Sequence, residues 1–301
     1  MSSVVSLQIT IFILTGVGFV IRRIGLVNQA GQKMLASLVL NLILPCNILK
    51  AFISSSLDGS VNEYLGVLLI AIGIQLMAVV YGHVVFRHHS EGHRKCEQYA
   101  TICPNADFIG NPVAEGIWGA EGLLLASIYL IPQRIMMWST GLPVFSGSHD
   151  RKQTAKKVLL HPCIIACEIG IVFMLFHWTL PGPVMSAVSS LGNCTTAFSM
   201  LVVGMILAQM ELKSFLDKQV WLFCLHRLVI IPAIIYGVCL LLPVSATVRG
   251  LCVILSAMPA GTTTSLLAQQ YNMEPEFATK LVIVTTLMSL PSLFVWSLIL
   301  V

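Results

Sequence analysis

Long apolar runs alternate with short polar connectors along the whole chain. The runs are approximately Val4–Ile21, Met34–Ile53, Tyr64–Phe86, Gln98–Trp118, Gly122–Phe145, Val158–Trp178, Met185–Met210, Val220–Leu242, Arg249–Tyr271 and Phe277–Val301. Each is near the ~20 residues that an α-helix needs to cross a hydrocarbon core. The runs are continuous and do not alternate polar with apolar, which favours helices over barrel strands. The pattern predicts an all-α integral membrane protein with about ten transmembrane helices. Only 10% of the residues are charged and the mean hydropathy is +0.88. Soluble domains carry roughly 25% charged residues, so this chain has too few to cover a water-facing surface. The first run starts without a basic segment before it and is long enough to span, so it reads as a retained helix and not a cleaved signal.

The longest polar connectors are Arg87–Glu97, which carries His88, His89 and His93, and Ser146–Lys157 at the midpoint. The second divides the chain into a five-helix part (1–145), a connecting loop (146–157) and a second five-helix part (158–301). Five is odd, so if the halves are repeats the second must be inverted in the membrane. Apart from Arg134 and Arg227 within runs, and Lys50 and Arg249 beside loops after even-numbered runs, Lys and Arg fall in or beside loops after odd-numbered runs. By the positive-inside rule those loops face the cytoplasm and both termini lie outside it, as in a multi-pass protein of the cell (plasma or inner) membrane. The histidine-bearing connector reads as a solvated cytoplasmic loop, with a pH-sensing role as the alternative.

Two runs are broken. The fourth contains Cys103-Pro104-Asn105-Ala106-Asp107-Phe108-Ile109-Gly110-Asn111-Pro112; the ninth contains Ala257-Met258-Pro259-Ala260-Gly261-Thr262-Thr263-Thr264-Ser265. Proline removes a backbone donor and pushes the preceding residue out of helical geometry. Freed backbone groups at membrane depth must be satisfied by protein or by a wet cavity. The half-helices that follow would aim free N–H groups and a positive dipole end at the membrane centre. Matched interruptions in two halves point to a transport site.

The stretch Asn105–Pro112, followed by Trp118-Gly119-Ala120-Glu121-Gly122, resembles the N-x-G-F-x-G-x-P and F-G-x-E-G pattern of the auxin efflux carrier family. Met258-Pro259-Ala260 onward, through Ala268, Tyr271 and Phe277-Ala278 to Thr285–Pro291, is similar to that family's second half. The resemblance implies two inverted five-helix repeats, related in architecture to bile acid:sodium symporters, with the fourth and ninth helices crossing at prolines. It implies crossover prolines at Pro112 and Pro259, a substrate-binding asparagine at Asn105, and a counterpart among Gly261, Thr262 and Thr263. Asp107 stands where the family pattern has glycine.

Ionisable groups inside spans are costly and are usually functional or paired. Asp107, beside Asn111 at the break, is a candidate for substrate contact and for proton or Na⁺ coupling; capping of the half-helix is the structural alternative. Arg134 in the fifth run needs a counter-anion or water, and a substrate carboxylate would serve. Glu168 is a second coupling candidate, and Arg227 reads as shallow enough to snorkel. The nine cysteines show no CxxC pair, and no metal or other cofactor is expected beyond a coupling H⁺ or Na⁺.

These features predict a secondary carrier of a small organic anion, such as a carboxylate or an auxin-like acid, working by alternating access around the helix 4/9 crossover. The alternatives are a coupled carrier of a cationic or zwitterionic solute, a channel, or a membrane receptor. No Walker sequence and no H-E-x-x-H is present, so neither an ATP-driven pump nor a metalloprotease is expected. The expected partners are the bilayer and a small solute, without nucleic acid; a homodimer stays open.

Overall fold

The computed structural model describes residues 2–54, 61–146, 156, 158–209 and 217–300. Most of the expected connecting loop, residues 147–155 and 157, lies outside the described residues. In chain order the helices are α1 (Ser2–Arg23), α2 (Gln29–Leu38), α3 (Leu44–Ser54), α4 (Val61–Val85), α5 (Glu91–Ile102), α6 (Asn111–Met136), α7 (Leu142–Ser146), α8 (Pro162–Leu175), α9 (Gly182–Asn193), α10 (Thr195–Leu207), α11 (Lys218–Leu225), α12 (Ile231–Leu241), α13 (Ala246–Ser256), α14 (Thr262–Gln270) and α15 (Pro275–Leu300). There is no β-strand among the described residues, only an isolated antiparallel bridge between Pro104 and Ala260.

Seven helical stretches of the described residues are long and apolar enough to cross a membrane. Local chemistry explains why ten runs give seven such stretches. The end of the fourth run and the fifth are continuous over Ala106–Phe145, and their junction is a single residue, Gly119, at φ 65°. That left-handed conformation costs glycine nothing and other residues a great deal. The sixth run forms only the 14-residue α8, and the ninth stops at Ser256 ahead of its proline. Along α4, Leu69, Ile72, Leu76 and Val80 form a stripe of exposed large apolar side chains at helical spacing. Such a face suits hydrocarbon and not water.

The chain forms two compact units built from interleaved stretches: residues 1–65, 107–128 and 159–209 in one, and 66–106, 129–158 and 210–301 in the other. In the first unit α1 packs along α10, and α3 against α8 and α9. Glycines set the closeness of these pairs. A Cβ at Gly18 would stand 2.3 Å from the Leu201 carbonyl oxygen, and one at Gly204 2.0 Å from that of Thr15. Small residues let membrane helices approach closely where lipid supplies no hydrophobic drive. This unit also holds a polar cluster: Asn47 Nδ2 donates to Glu115 at 2.8 Å, Lys50 Nζ donates to Asn193 Oδ1 at 2.8 Å, and Lys50 lies 3.7 Å from Glu115.

In the second unit α13 is buried on every side, as a core helix should be. Leu251, Cys252, Val253, Ile254 and Leu255 are all fully enclosed, with α12 and α15 among the helices packed on it. Two sequence expectations change here. The histidine-bearing connector is not a solvated loop throughout: α5 begins at Glu91, and Glu97 is 0% exposed. Arg227 does not snorkel: it is 2% exposed and its guanidinium is bound to backbone inside the unit. A planar fork that meets two carbonyls gains more from them than from reaching for the interface.

Candidate functional site

Helix α5 ends at Ile102 because Cys103 precedes a proline; its φ/ψ of −118°/75° is outside the helical region. The second break has the same cause. Pro259 follows Met258, and the chain turns helical again only at Thr262. Prolines supply no N–H, so each break leaves carbonyls without helical donors. The two extended segments cross and repair one another. Asn105 N–H donates to Pro259 O at 2.8 Å, and Gly261 N–H donates to Cys103 O at 3.0 Å.

Side chains satisfy the remaining groups. Gln133 Nε2 donates to Pro104 O at 3.0 Å, and Arg227 Nε donates to Met258 O at 2.8 Å. The amide of Ala260 donates to Thr285 Oγ1 at 3.1 Å. Arg227 Nη1 also reaches the Thr101 carbonyl at 3.3 Å, tying the last turn of α5 to the ninth-run segment. The carbonyls of Cys103, Pro104, Met258 and Pro259 and the amides of Asn105, Ala260 and Gly261 thus all find partners, as burial in an apolar environment demands. Gly261 is required by this approach: a Cβ there would stand 2.5 Å from the Cys103 oxygen.

The backbone is satisfied but several side chains at the crossing are not. Asn105 Nδ2, Gln133 Oε1, Arg227 Nη2, Thr264 Oγ1 and Thr286 Oγ1 are buried and have no hydrogen-bond partner among the described residues. Native proteins pair nearly all buried polar atoms, and each exception asks for an explanation. Amide, guanidinium and hydroxyl donors predominate in this set, a chemistry that suits an oxyanion. Among the described residues of this unit, the buried charged side chains are Arg134, Arg227 and Glu97. Two permanent cations and one titratable acid favour a negative ligand over a positive one.

The residues named from sequence divide between the two units. Asn105, Gly261, Thr262, Thr263, Pro259 and Arg134 belong to the second unit. The Tyr99 hydroxyl faces Thr263 and Cys103. Arg134 is a fully buried part of α6. Asp107, Asn111, Pro112 and Glu168 belong to the first unit. Asp107 is half-buried in the π-helical stretch Ala106–Gly110, and Asn111 Nδ2 reaches its carbonyl at 3.5 Å. Glu168 is exposed on α8 beside Ile169 and Val172 and makes no ion pair among the described residues. The proline that pairs across the crossing is Pro104; Pro112 lies in the first turn of α6, where a missing N–H costs nothing. Sequence reasoning did not single out Tyr99, Gln133 or Thr285 for the crossing, nor Glu97 for the buried charge. Their polarity within apolar runs was the available signal, but polarity alone gives no partner.

A family model described as membrane transport protein matches residues 3–157 and 151–297. The chain belongs to the auxin efflux carrier family. This carrier is 23% identical over 300 residues to an uncharacterized transporter of Methanothermobacter thermautotrophicus, covering 97% of each chain. It is 21% identical over 295 residues to an uncharacterized transporter of Methanocaldococcus jannaschii, covering 95% of each. Auxin efflux carrier component 8 of Arabidopsis thaliana is 24% identical over 142 residues, which are 46% of this carrier and 39% of the plant protein. The carrier is thus a multi-pass membrane transporter and belongs to a family of transporters, not of enzymes.

Proposed function

We propose that this transporter is a secondary carrier of a small organic anion and works by alternating access around the Cys103–Asn105 and Met258–Gly261 crossing. In this reading the polypeptide spans the cell membrane ten times as two inverted five-helix repeats, with both termini outside the cytoplasm. The distribution of Lys and Arg supports that orientation. An ion gradient of H⁺ or Na⁺ drives the cycle.

The observation that carries the proposal is the set of buried unpartnered donors beside the two segments that hydrogen-bond each other, with Asn105 Nδ2 foremost. A carboxylate accepting from such groups would meet charge-assisted hydrogen bonds in a desolvated setting. A second reading, a cationic or zwitterionic solute, is favoured by Asp107 at the fourth-run break.

Uptake of labelled malate into proteoliposomes tests the proposal, with wild type beside Asn105→Ala. Saturable uptake by wild type, lost in a variant that still melts cooperatively, is the expected result. Uptake unchanged in the variant would remove Asn105 from the site. Wild-type uptake of a labelled amine in place of malate would favour the second reading.

A further inference from the structure

In the second unit two polar side chains, His89 and Gln219, meet one buried carboxylate, Glu97, and His93 extends the cluster through Gln219. His89 Nδ1 lies 2.6 Å from Glu97 Oε2. Gln219 Nε2 lies 2.7 Å from the same His89 nitrogen and donates to Glu97 Oε1 at 3.2 Å. His93 Nδ1 lies 2.8 Å from Gln219 Oε1, which fixes the direction of the amide. His93 stacks on Phe277 at 3.8 Å and stands 4.0 Å from Glu274. The Glu97 side chain is fully enclosed, whereas that of His89 keeps 24% of its surface exposed. One member of the pair therefore touches the aqueous side while the other is sealed from it.

The atoms accommodate a proton in either of two places. On His89 Nδ1 it is donated to Glu97 Oε2, and Gln219 supports Oε1. On Glu97 Oε2 it is donated back to Nδ1, while the Gln219 amide still satisfies Oε1. The two placements differ at Gln219, whose amide nitrogen lies 2.7 Å from Nδ1: it faces another donor when Nδ1 carries the proton and an acceptor when Glu97 does. Burial pushes the Glu97 carboxyl above its ordinary 4.5, against opposing contributions from His89, Gln219 and His93.

The cluster is connected to the crossing. The Glu97 carbonyl accepts from Thr101 Oγ1 at 2.8 Å. The Thr101 carbonyl accepts from Arg227, whose Nε holds Met258 O beside Pro259. Along α5, Glu97 stands about 9 Å from Cys103 at 1.5 Å per residue.

We propose that the His89–Glu97 pair is the proton-binding site of this carrier, so that the coupling ion is a proton held between His89 Nδ1 and Glu97 Oε2. This rests on the carrier reading above. A proton from water binds His89 Nε2, and the Nδ1 proton passes to the Glu97 carboxylate. The imidazole returns to its neutral form as the other tautomer, and the pair changes from a net charge of −1 to zero. A neutral pair tolerates full closure from water, whereas a buried anion opposes it. Loading and unloading thus bias the helix that leads into Cys103-Pro104-Asn105. The ionisable groups around the pair are His88 beside His89; His93, Arg94 and Cys96 on α5; Asp217 and Lys218 at the start of α11; Glu274 at the turn before α15; and His226, which faces His89.

Two measurements on the full chain decide the matter. The first needs no solute: pH-difference infrared spectroscopy of the purified protein should show a protonated-carboxyl band that Glu97→Gln removes. In His89→Gln the same band should appear at higher pH, because the imidazole that holds the carboxyl down is gone. A missing band, or one indifferent to His89, overturns the proposal. The second uses labelled malate in proteoliposomes. Glu97→Gln should keep malate counterflow and lose the stimulation by an inward pH gradient. Gradient stimulation retained in Glu97→Gln overturns the proposal, and so does loss of counterflow together with stimulation, which marks a structural role. Absence of counterflow in wild type refutes malate as the solute and leaves the proton site to be decided by the infrared result.

Discussion

The amide of Gly261 donates to the Cys103 carbonyl at 3.0 Å, and a Cβ on Gly261 would stand 2.5 Å from that same oxygen. The crossing is therefore closed by backbone meeting backbone, with no room for a side chain. Gly261→Ala should lower the thermal midpoint in detergent and abolish solute uptake, at a cost of about 1–3 kcal/mol from overpacking. Gly16→Ala is the control, because a Cβ there meets nothing within 4 Å. Equal stability and uptake for the two variants would show that the close approach is dispensable.

Arg227 is the clasp between the two broken segments. Its removal leaves the Met258 and Thr101 carbonyls unpaired in an apolar interior. A hydrogen bond to a charged group contributes about 1.5–3 kcal/mol. Arg227→Gln should therefore destabilise the protein by roughly 3 kcal/mol, and Arg227→Lys should recover only part of that because a single ammonium cannot reproduce the fork. Thermal unfolding of the two variants measures the difference. A lysine variant as stable as wild type would contradict the bidentate role.

Stability should also follow the ionisation of Glu97. Burial, partly offset by His89, raises its carboxyl in the folded state above the ordinary 4.5. The folded state therefore binds the proton more tightly than the unfolded chain does. Its contribution is fully present below pH 4.5 and is lost as pH rises through the elevated folded value. Thermal midpoints recorded upward from that pH should fall for wild type relative to Glu97→Gln, which lacks the group. Parallel profiles would mean that Glu97 ionises as freely as it does in water.

The seam between α1 and α10 makes a prediction for the first unit. Gly204 lies where a Cβ would come within 2.0 Å of the Thr15 carbonyl oxygen. Gly204→Val should force the two helices apart and cost about 1–3 kcal/mol or more, read as a lower midpoint in detergent. Gly66→Val, at a position with nothing within 4 Å, should change little.

Much of this architecture was legible in the sequence because membrane spanning is a local property. Roughly twenty apolar residues suffice to define a helix in lipid whatever surrounds it. The breaks were legible for the same reason: Cys103-Pro104 and Met258-Pro259 disrupt a helix through their own covalent geometry. Asn105 and Gly261 were singled out at the crossing from these breaks and from the family pattern. The pairing of Pro104 with Ala260 was not, because a proline shows where a helix fails and not which segment will repair it. Glu97 was misplaced in a solvated loop, since its neighbours His93, Arg94 and Lys95 are polar and the side chain that holds its carboxylate, Gln219, is more than a hundred residues away.

The sequence by itself determined a helical membrane transporter with two proline-broken apolar runs, because hydrophobic length and proline chemistry act within a few residues. Only the tertiary structure decided which carbonyl each freed amide meets, which buried donors stay unpartnered at the crossing, and which carboxylate is sealed from water. Those outcomes depend on contacts between distant segments, and in an apolar interior a polar atom's role is set by whether such a contact exists.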